Sequence, residues 1–380
     1  FFQLFLLIIQ NLFFFWFSLY TRNIFVSDNL YRVTPRQARE FIVDGLESGL
    51  VPFLRSSPGM GKSSIIKDVA KSFNLKVIDI RLSTCAPEDM SGLPEFYTDD
   101  CDQRRSRFVP FDLFPLEFNK LPEGYEGWMI FYDEANSGTK MVQAASYKVI
   151  LDRMIGQSKL HDRVVQIAAG NLDSDRAITN NLSTAMQSRL APHLEMAINH
   201  QEWMEDVALP IRYDDRIVAF LGFAERHLMD FRPDHEEKTF CCPRTWGFMN
   251  SLVQKPDGTP KPVTTGKTPL YAGTITSGVA AEFVAFCQLQ NELLTIKDVL
   301  ADPANAQLPQ DAQRKWIITT HLVSKVTEKL FGDVCTYINR MDLSFRIQFF
   351  RSIMIQQPEL RGHPDFAKAM SELSRYLSGK

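Results

Sequence analysis

The segment that decides the fold runs from residue 56 to residue 64 and reads Ser56-Ser57-Pro58-Gly59-Met60-Gly61-Lys62-Ser63-Ser64. A short apolar run precedes it and apolar residues at helical spacing follow it, which together predict a strand, a loop and a helix. Glycines allow backbone N–H groups to turn toward a polyphosphate, Lys62 can reach the outer phosphates, and the Ser63 hydroxyl can ligate Mg2+. The usual pattern has a glycine where this chain has Ser56. The segment therefore predicts a loop in which residues 57–64 bind the phosphates of a nucleotide.

A pair of carboxylates supports the same prediction. Residues 128–132 are an apolar run, which predicts a buried strand, and Asp133 and Glu134 follow it directly. In open parallel sheets the ligand lies at the carboxyl ends of the strands, so both acids are expected beside the phosphate loop. We expect Asp133 to hold the Mg2+ shell and Glu134 to deprotonate the attacking water. An isolated Asp-Glu pair is usually a solvated turn, but the apolar strand before it argues against that interpretation.

Strand and helix patterns alternate through the first half of the chain. The sequence pattern predicts five strands, at residues 50–54, 76–80, 128–132, 164–169 and 193–197. Helical spacing predicts helices at residues 35–48, after a Thr34 cap, and 62–73. This alternation predicts an α/β fold with a parallel five-stranded sheet covered on both faces. Beyond about residue 200 the patterns become mainly helical, apart from residues 255–278, where we expect a loop or extended arm, with a short hairpin as the alternative.

We expect three regions: an apolar leader over residues 1–25, an α/β nucleotide-binding domain over 26–200, and a mainly helical lid and C-terminal region over 201–380. Residues 1–20 carry no charge and are long enough to cross a bilayer, so a membrane anchor is one interpretation of the leader. The other is that the leader is not native protein and that the chain starts near Val26. Membrane contact is therefore expected only if residues 1–25 are native.

Composition excludes some functions. The 42 Lys+Arg against 45 Asp+Glu give a net charge of -3, so no global basic field is present to hold a nucleic-acid backbone. The six cysteines contain no C-x-x-C pair, which indicates reduced, structural thiols in a cytoplasmic protein.

Four further motifs carry a resemblance to a known family. They are Pro87-Glu88-Asp89-Met90-Ser91-Gly92-Leu93, Ala168-Ala169-Gly170-Asn171, Met186-Gln187-Ser188-Arg189-Leu190 and Cys242-Pro243-Arg244. In this order, together with the two motifs above, they resemble the AAA+ ATPases, and within these the MoxR group, over about residues 34–252. The resemblance implies a three-layer P-loop NTPase core followed by a helical lid, with ATP and Mg2+ as cofactors and ATP hydrolysis as the reaction.

The resemblance also implies roles for three more residues. Asn171 would hydrogen-bond the attacking water or the terminal phosphate, Arg189 would act as an arginine finger at a neighbouring subunit's nucleotide, and Arg244 would reach the phosphates from the lid. Each has a structural alternative. Asn171 could cap local backbone in a turn, Arg189 could pair with Glu195 or Asp175, and Arg244 could be a surface residue at a helix start.

A ring that remodels or assembles a protein client is the function that the resemblance implies. The chain would associate with itself, as an expected hexamer, and proteins with a von Willebrand factor A domain are the suggested partner class. Arg176 is the competing arginine finger. Residues 94–110 predict a hairpin, in which Phe96 and Tyr97 either touch the client or pack onto their own domain.

Other nucleotide-dependent functions fit less well. A nucleic-acid motor or loader, the main alternative, would need a basic lid or an appended DNA-binding module, and neither is visible in the sequence. A GTPase would need an Asn-Lys-x-Asp motif, whereas Asn119-Lys120 is followed by Leu121-Pro122. A P-loop kinase would not need Asn171, Arg189 and Arg244 in this order.

Overall fold

A parallel sheet forms the centre of the first half of the chain. The computed structural model describes residues 30–175, 182–289 and 296–377. The strands are β1 Arg32–Val33, β2 Phe53–Arg55, β3 Leu75–Arg81, β4 Leu93–Thr98, β5 Arg104–Val109, β6 Gly127–Asp133, β7 Met154–Ile155, β8 Ser158–Lys159, β9 Val164–Gly170 and β10 His193–Met196. The parallel sheet has the order β1-β10-β2-β9-β6-β3, and β4–β5 and β7–β8 form two separate antiparallel pairs.

The sheet has six strands, so the prediction of five was wrong by one. The additional strand is β1, which pairs in parallel with β10 through Arg32 opposite Glu195 and Val33 opposite Met196. Two residues are too few to show the alternation that marks a strand in a sequence. Their pairing depends on β10, which lies more than 150 residues away in the chain.

Helices cover both faces of the sheet and make up most of the second half of the chain. They are α1 Pro35–Glu47, α2 Lys62–Ser72, α3 Pro87–Ser91, α4 Lys140–Tyr147, α5 Thr184–Gln187, α6 His200–Trp203, α7 Leu209–Ile211, α8 Asp215–Phe223, α9 Pro243–Val253, α10 Thr268–Ala272, α11 Ser277–Leu289, α12 Ile296–Ala301, α13 Ala312–Lys325, α14 Phe331–Ile338, α15 Leu343–Gln356 and α16 Pro364–Leu377. Helix α1 begins with the expected capping box, in which Thr34 and Gln37 bond reciprocally.

Alternation along β6 explains the three layers. Met129 and Phe131 belong to the apolar cluster that includes α1 and α2, whereas Ile130 and Tyr132 belong to the cluster that includes Val142 of α4. Successive residues of a strand point to opposite faces, so one buried strand contributes to both clusters. The predicted α/β class, with a parallel sheet between helices and a helical region after it, is confirmed.

The helical region contains two further apolar clusters. One gathers α8, α9 and α11 around Phe220, Trp246 and Phe283, and the other gathers α13 to α16 around Phe331 and Phe349. Residues 255–278 do not form one loop or arm. An isolated antiparallel bridge between Gln254 and Pro260 closes a turn, which is close to the alternative of a short hairpin, and α10 and the start of α11 follow. No helix among the described residues is long and apolar enough to span a membrane, and the leader over residues 1–25 lies outside them.

Candidate nucleotide site

The loop between β2 and α2 has the backbone that a phosphate loop needs. Gly59 and Gly61 have φ of 77° and 91°, in the left-handed region that favours glycine. Ser56 is not among the residues with positive φ, so a side chain is tolerated where the usual pattern has glycine. Ser56 is also fully buried, and its Oγ accepts a hydrogen bond from Lys62 Nζ at 3.2 Å. The departure at residue 56 therefore leaves the loop intact.

The amine of Lys62 lies among hydrogen-bond acceptors. Its Nζ donates to the Ser56 carbonyl oxygen at 2.8 Å, to the Ser57 carbonyl oxygen at 3.4 Å and to Asn171 Oδ1 at 3.1 Å. Burial lowers the pKa of Lys62 to about 8, and the Asp133 carboxylate partly opposes this effect. The charge of this amine is therefore sensitive to pH in the range where the protein would be assayed.

Asp133, at the end of β6, faces the first turn of α2. Ser63 Oγ donates to Asp133 Oδ2 at 3.4 Å, and Asp133 Oδ1 accepts the N–H of Glu134 at 2.9 Å. A hydroxyl and a carboxylate are the hard oxygen donors that Mg2+ prefers. No group of three or more His, Cys, Asp or Glu among the described residues could hold a metal ion by itself. These two residues therefore fit a Mg2+ that takes its other ligands from phosphates and water.

Glu134 is held by a residue that the sequence analysis missed. Its φ of 52° is unusual for a residue other than glycine, and its Oε2 accepts a hydrogen bond from Ser83 Oγ. Ser83 lies two residues after β3, the strand next to β6 in the sheet. No local motif marks Ser83, and its position at the end of a strand beside β6 was the signal that could have identified it.

Asn171 reaches the same place from β9. This strand lies between β2, which leads into the phosphate loop, and β6, which ends in the two acids. Asn171 is the first residue after β9, and its side chain accepts the hydrogen bond from Lys62 described above. The strand order therefore explains how three distant segments of the chain meet at one edge of the sheet.

Arg244 brings the helical region to the phosphate loop. Its backbone N–H donates to the Gly59 carbonyl oxygen at 3.1 Å, so α9 begins directly on the loop. The contact is close, because a Cβ at Gly59 would lie 2.3 Å from Cys242 Sγ. The Arg244 side chain is exposed and lines the cleft between the two regions.

Arg189 does not line this cleft. Its guanidinium lies over the ring of Tyr147, 4.6 Å from the centroid, and its Nη1 donates to the Ala185 carbonyl oxygen at 2.7 Å. The alternative partner Glu195 pairs with Arg55 at 2.8 Å. Arg176, the competing finger, lies outside the described residues.

A cleft of about 680 Å3 connects these groups. All predicted site residues except Ser57 and Arg189 line it. It also has an apolar part that suits a nucleotide base and that sequence reasoning missed. Residues of this apolar part include Pro35, Ile198, Trp203, Val207 and Tyr213.

Comparisons with known proteins find distant likenesses. No protein-family model matches the chain, and no curated protein matches it. Among solved structures, a mutant of RuvB from Thermotoga maritima is 14% identical, with a TM-score of 0.34, over 70% of this chain and 74% of that chain. A putative ATPase from Cytophaga hutchinsonii is 12% identical, with a TM-score of 0.32, over 90% and 78%. NtrX from Brucella abortus is 13% identical, with a TM-score of 0.35, over 93% and 68%. Likenesses this distant carry no argument, so function is argued from the residues of the cleft.

Proposed function

We propose that this chain binds and hydrolyses ATP with Mg2+ in the cleft between its α/β and helical regions. The observation that carries the proposal is that Lys62, Asp133, Glu134 and Asn171 meet there from three adjacent strands. Lys62 supplies a cation for the outer phosphates. Ser63 and Asp133 would hold Mg2+, which neutralises charge on the phosphates when bound.

Glu134 is the general base in this proposal. It follows the strand that delivers Asp133, and it lines the cleft. Ser83 competes for one of its carboxylate oxygens, so Glu134 has to leave Ser83 or use its other oxygen when it takes the proton of the attacking water. Asn171, an uncharged donor and acceptor beside Lys62, would orient that water or the terminal phosphate.

We further propose that the chain is a MoxR-like AAA+ ATPase that acts as a ring, hexameric by the resemblance. The order of the motifs supports this. Arg189 would have to leave the Tyr147 ring and the Ala185 carbonyl oxygen to reach a neighbouring subunit's nucleotide. Sedimentation of a Glu134→Gln variant with Mg-ATP tests the ring: we expect a closed oligomer, and a monomer at every concentration would contradict the proposal.

The proposed client is a protein in the cytoplasm, reached with a partner of the von Willebrand factor A class. The hairpin predicted at residues 94–110 is present as β4 and β5, and it supports a protein contact. Phe96 is 68% exposed, and the Arg104 guanidinium lies 5.3 Å from the centroid of its ring. Tyr97 is half-buried and packs against Arg107 of the same hairpin, so of the two aromatic residues Phe96 is the one offered to a client. Exposed aromatic and arginine side chains are typical of protein interfaces.

Client capture tests this part of the proposal. Glu134→Gln protein loaded with ATP should retain proteins that neither the ADP-loaded protein nor a Phe96→Ser variant retains. If no protein is retained and added DNA or RNA stimulates ATP hydrolysis instead, the nucleic-acid motor is the better function.

A further inference from the structure

The turn after β6 contains a buried amide that the proposed reaction does not use. Asn136 lies two residues after Glu134, is 1% exposed and does not line the cleft. A buried amide destabilises the folded state unless its donors and acceptor have partners. The partners of Asn136 therefore indicate why a polar residue occupies this place.

Both polar atoms of the Asn136 side chain bond to the backbone of Asn171. Its Nδ2 donates to the Asn171 carbonyl oxygen at 2.8 Å, and its Oδ1 accepts the Asn171 N–H at 3.1 Å. Asn171 follows β9, where the strand pairing has ended, so these backbone groups need other partners. The Ala135 N–H extends the contact by donating to the Ala169 carbonyl oxygen at 2.8 Å.

Gly170 shows how closely the two turns fit. A Cβ at this position would lie 2.3 Å from Asn136 Oδ1 and would displace the amide. Gly170 is not among the glycines with positive φ, so its conformation does not require glycine. The Asn136 amide is therefore the nearest group that a side chain before Asn171 would meet, and the Phe53 ring, at 3.0 Å, is the next.

We propose that Asn136 is a positioning residue that fixes Asn171 relative to Glu134 during ATP hydrolysis. The inference rests on the proposed ATPase function. Asn136 shares a turn with Glu134, and it holds the backbone of Asn171, whose Oδ1 lies 3.1 Å from Lys62 Nζ. The base and the group that orients the water belong to different strands, and the Asn136 side chain joins their two turns. Without it Asn171 can shift, and a displacement of about 1 Å can slow a reaction roughly 100-fold.

An Asn136→Ala variant tests the proposal. We expect kcat for ATP hydrolysis to fall about 10- to 100-fold while Kd for ATP stays within about threefold of wild type. Because Asn136 acts through Asn171, an Asn136→Ala and Asn171→Ala double variant should turn over as slowly as Asn171→Ala alone. Gln166→Ala is the matched control. Gln166 is a buried amide on β9, bonded to Tyr132 and Ile150 and roughly 16 Å from Asn171 along the strand, so its loss should lower Tm and leave kcat unchanged.

Gly170→Ala disrupts the same contact without changing Asn136, because the added Cβ displaces the Asn136 amide. It should also lower kcat at nearly constant Kd. Wild-type kcat in either folded variant, full additivity in the double variant, or failure of both single variants to fold while Gln166→Ala folds would each overturn the inference. If Asn171→Ala and Glu134→Gln themselves hydrolyse ATP at the wild-type rate, the proposed function fails as well, so the two failures are distinguishable.

Discussion

Raising the pH should weaken ATP binding, because the amine of Lys62 must be charged to hold phosphates. Burial lowers the pKa of this amine to about 8 from its ordinary 10.5. The protein without nucleotide therefore loses the charge as the pH rises through about 8, whereas bound phosphates would keep the amine protonated. At pH 9 about one tenth of the nucleotide-free protein still carries the charge. The Kd for Mg-ATP should consequently rise roughly tenfold between pH 7 and pH 9, which corresponds to about 1.4 kcal/mol.

Calorimetry in two buffers of different ionisation enthalpy measures both the Kd and the number of protons taken up on binding. Kd should increase above pH 8, and binding there should take up about one proton. Lys62→Arg is the matched control, because a guanidinium keeps its charge over this range, and its Kd should not increase with pH. A wild-type Kd that stays constant from pH 7 to pH 9, in protein that circular dichroism shows to be folded, would refute the reasoning.

Three other perturbations have defined outcomes. Glu134→Gln should bind Mg-ATP with nearly wild-type affinity but hydrolyse it about 100-fold or more slowly in a phosphate-release assay, and near-normal turnover would place the base elsewhere. Arg189→Ala and Lys62→Ala should each be inactive alone. A mixture of the two should partly recover ATPase activity, because a Lys62→Ala subunit can still donate Arg189 to its neighbour. A mixture that stays inactive contradicts Arg189 as the arginine finger. Burial raises the pKa of Asp215 to about 6 from 3.8, so its ionisation opposes folding as the pH rises from about 4 to 6. Asp215→Asn should therefore raise the free energy of unfolding by about 3 kcal/mol at pH 7.5 and by about 1 kcal/mol at pH 4.5. If denaturant unfolding shows the same increase at both pH values, ionisation of Asp215 is not the reason for it.

Elements with a strong local pattern could be predicted from the sequence. Strands β3, β6 and β9 are seven residues each and appear within one residue of their predicted bounds. Strands β6 and β9 are largely apolar, whereas β3 has four apolar residues of seven. Helix α1 was also predictable, because the capping of Thr34 is a local interaction. Strand β1 was not, since its two residues are strand only by virtue of pairing with β10.

Some residues of the candidate site lie in sequence motifs and could be predicted, whereas others reach the site only through tertiary contacts. Lys62, Asp133 and Glu134 lie in motifs whose residue types follow from phosphate and metal chemistry, so their approach to one another could be expected before any coordinates. Ser83 and Trp203 lie in no such motif. Ser83 meets Glu134 only because β3 and β6 are neighbours, and Trp203 reaches the cleft only because the helical region packs against the phosphate loop.

The most direct test of the central claim is phosphate release from Mg-ATP by the wild-type protein and by Lys62→Ala, measured side by side at pH 7.5 over a range of protein concentrations. The account predicts that the rate of phosphate release per wild-type chain rises with protein concentration. It predicts no release by Lys62→Ala above background. Equal turnover by both proteins would contradict the claim that this phosphate loop is the site of ATP hydrolysis.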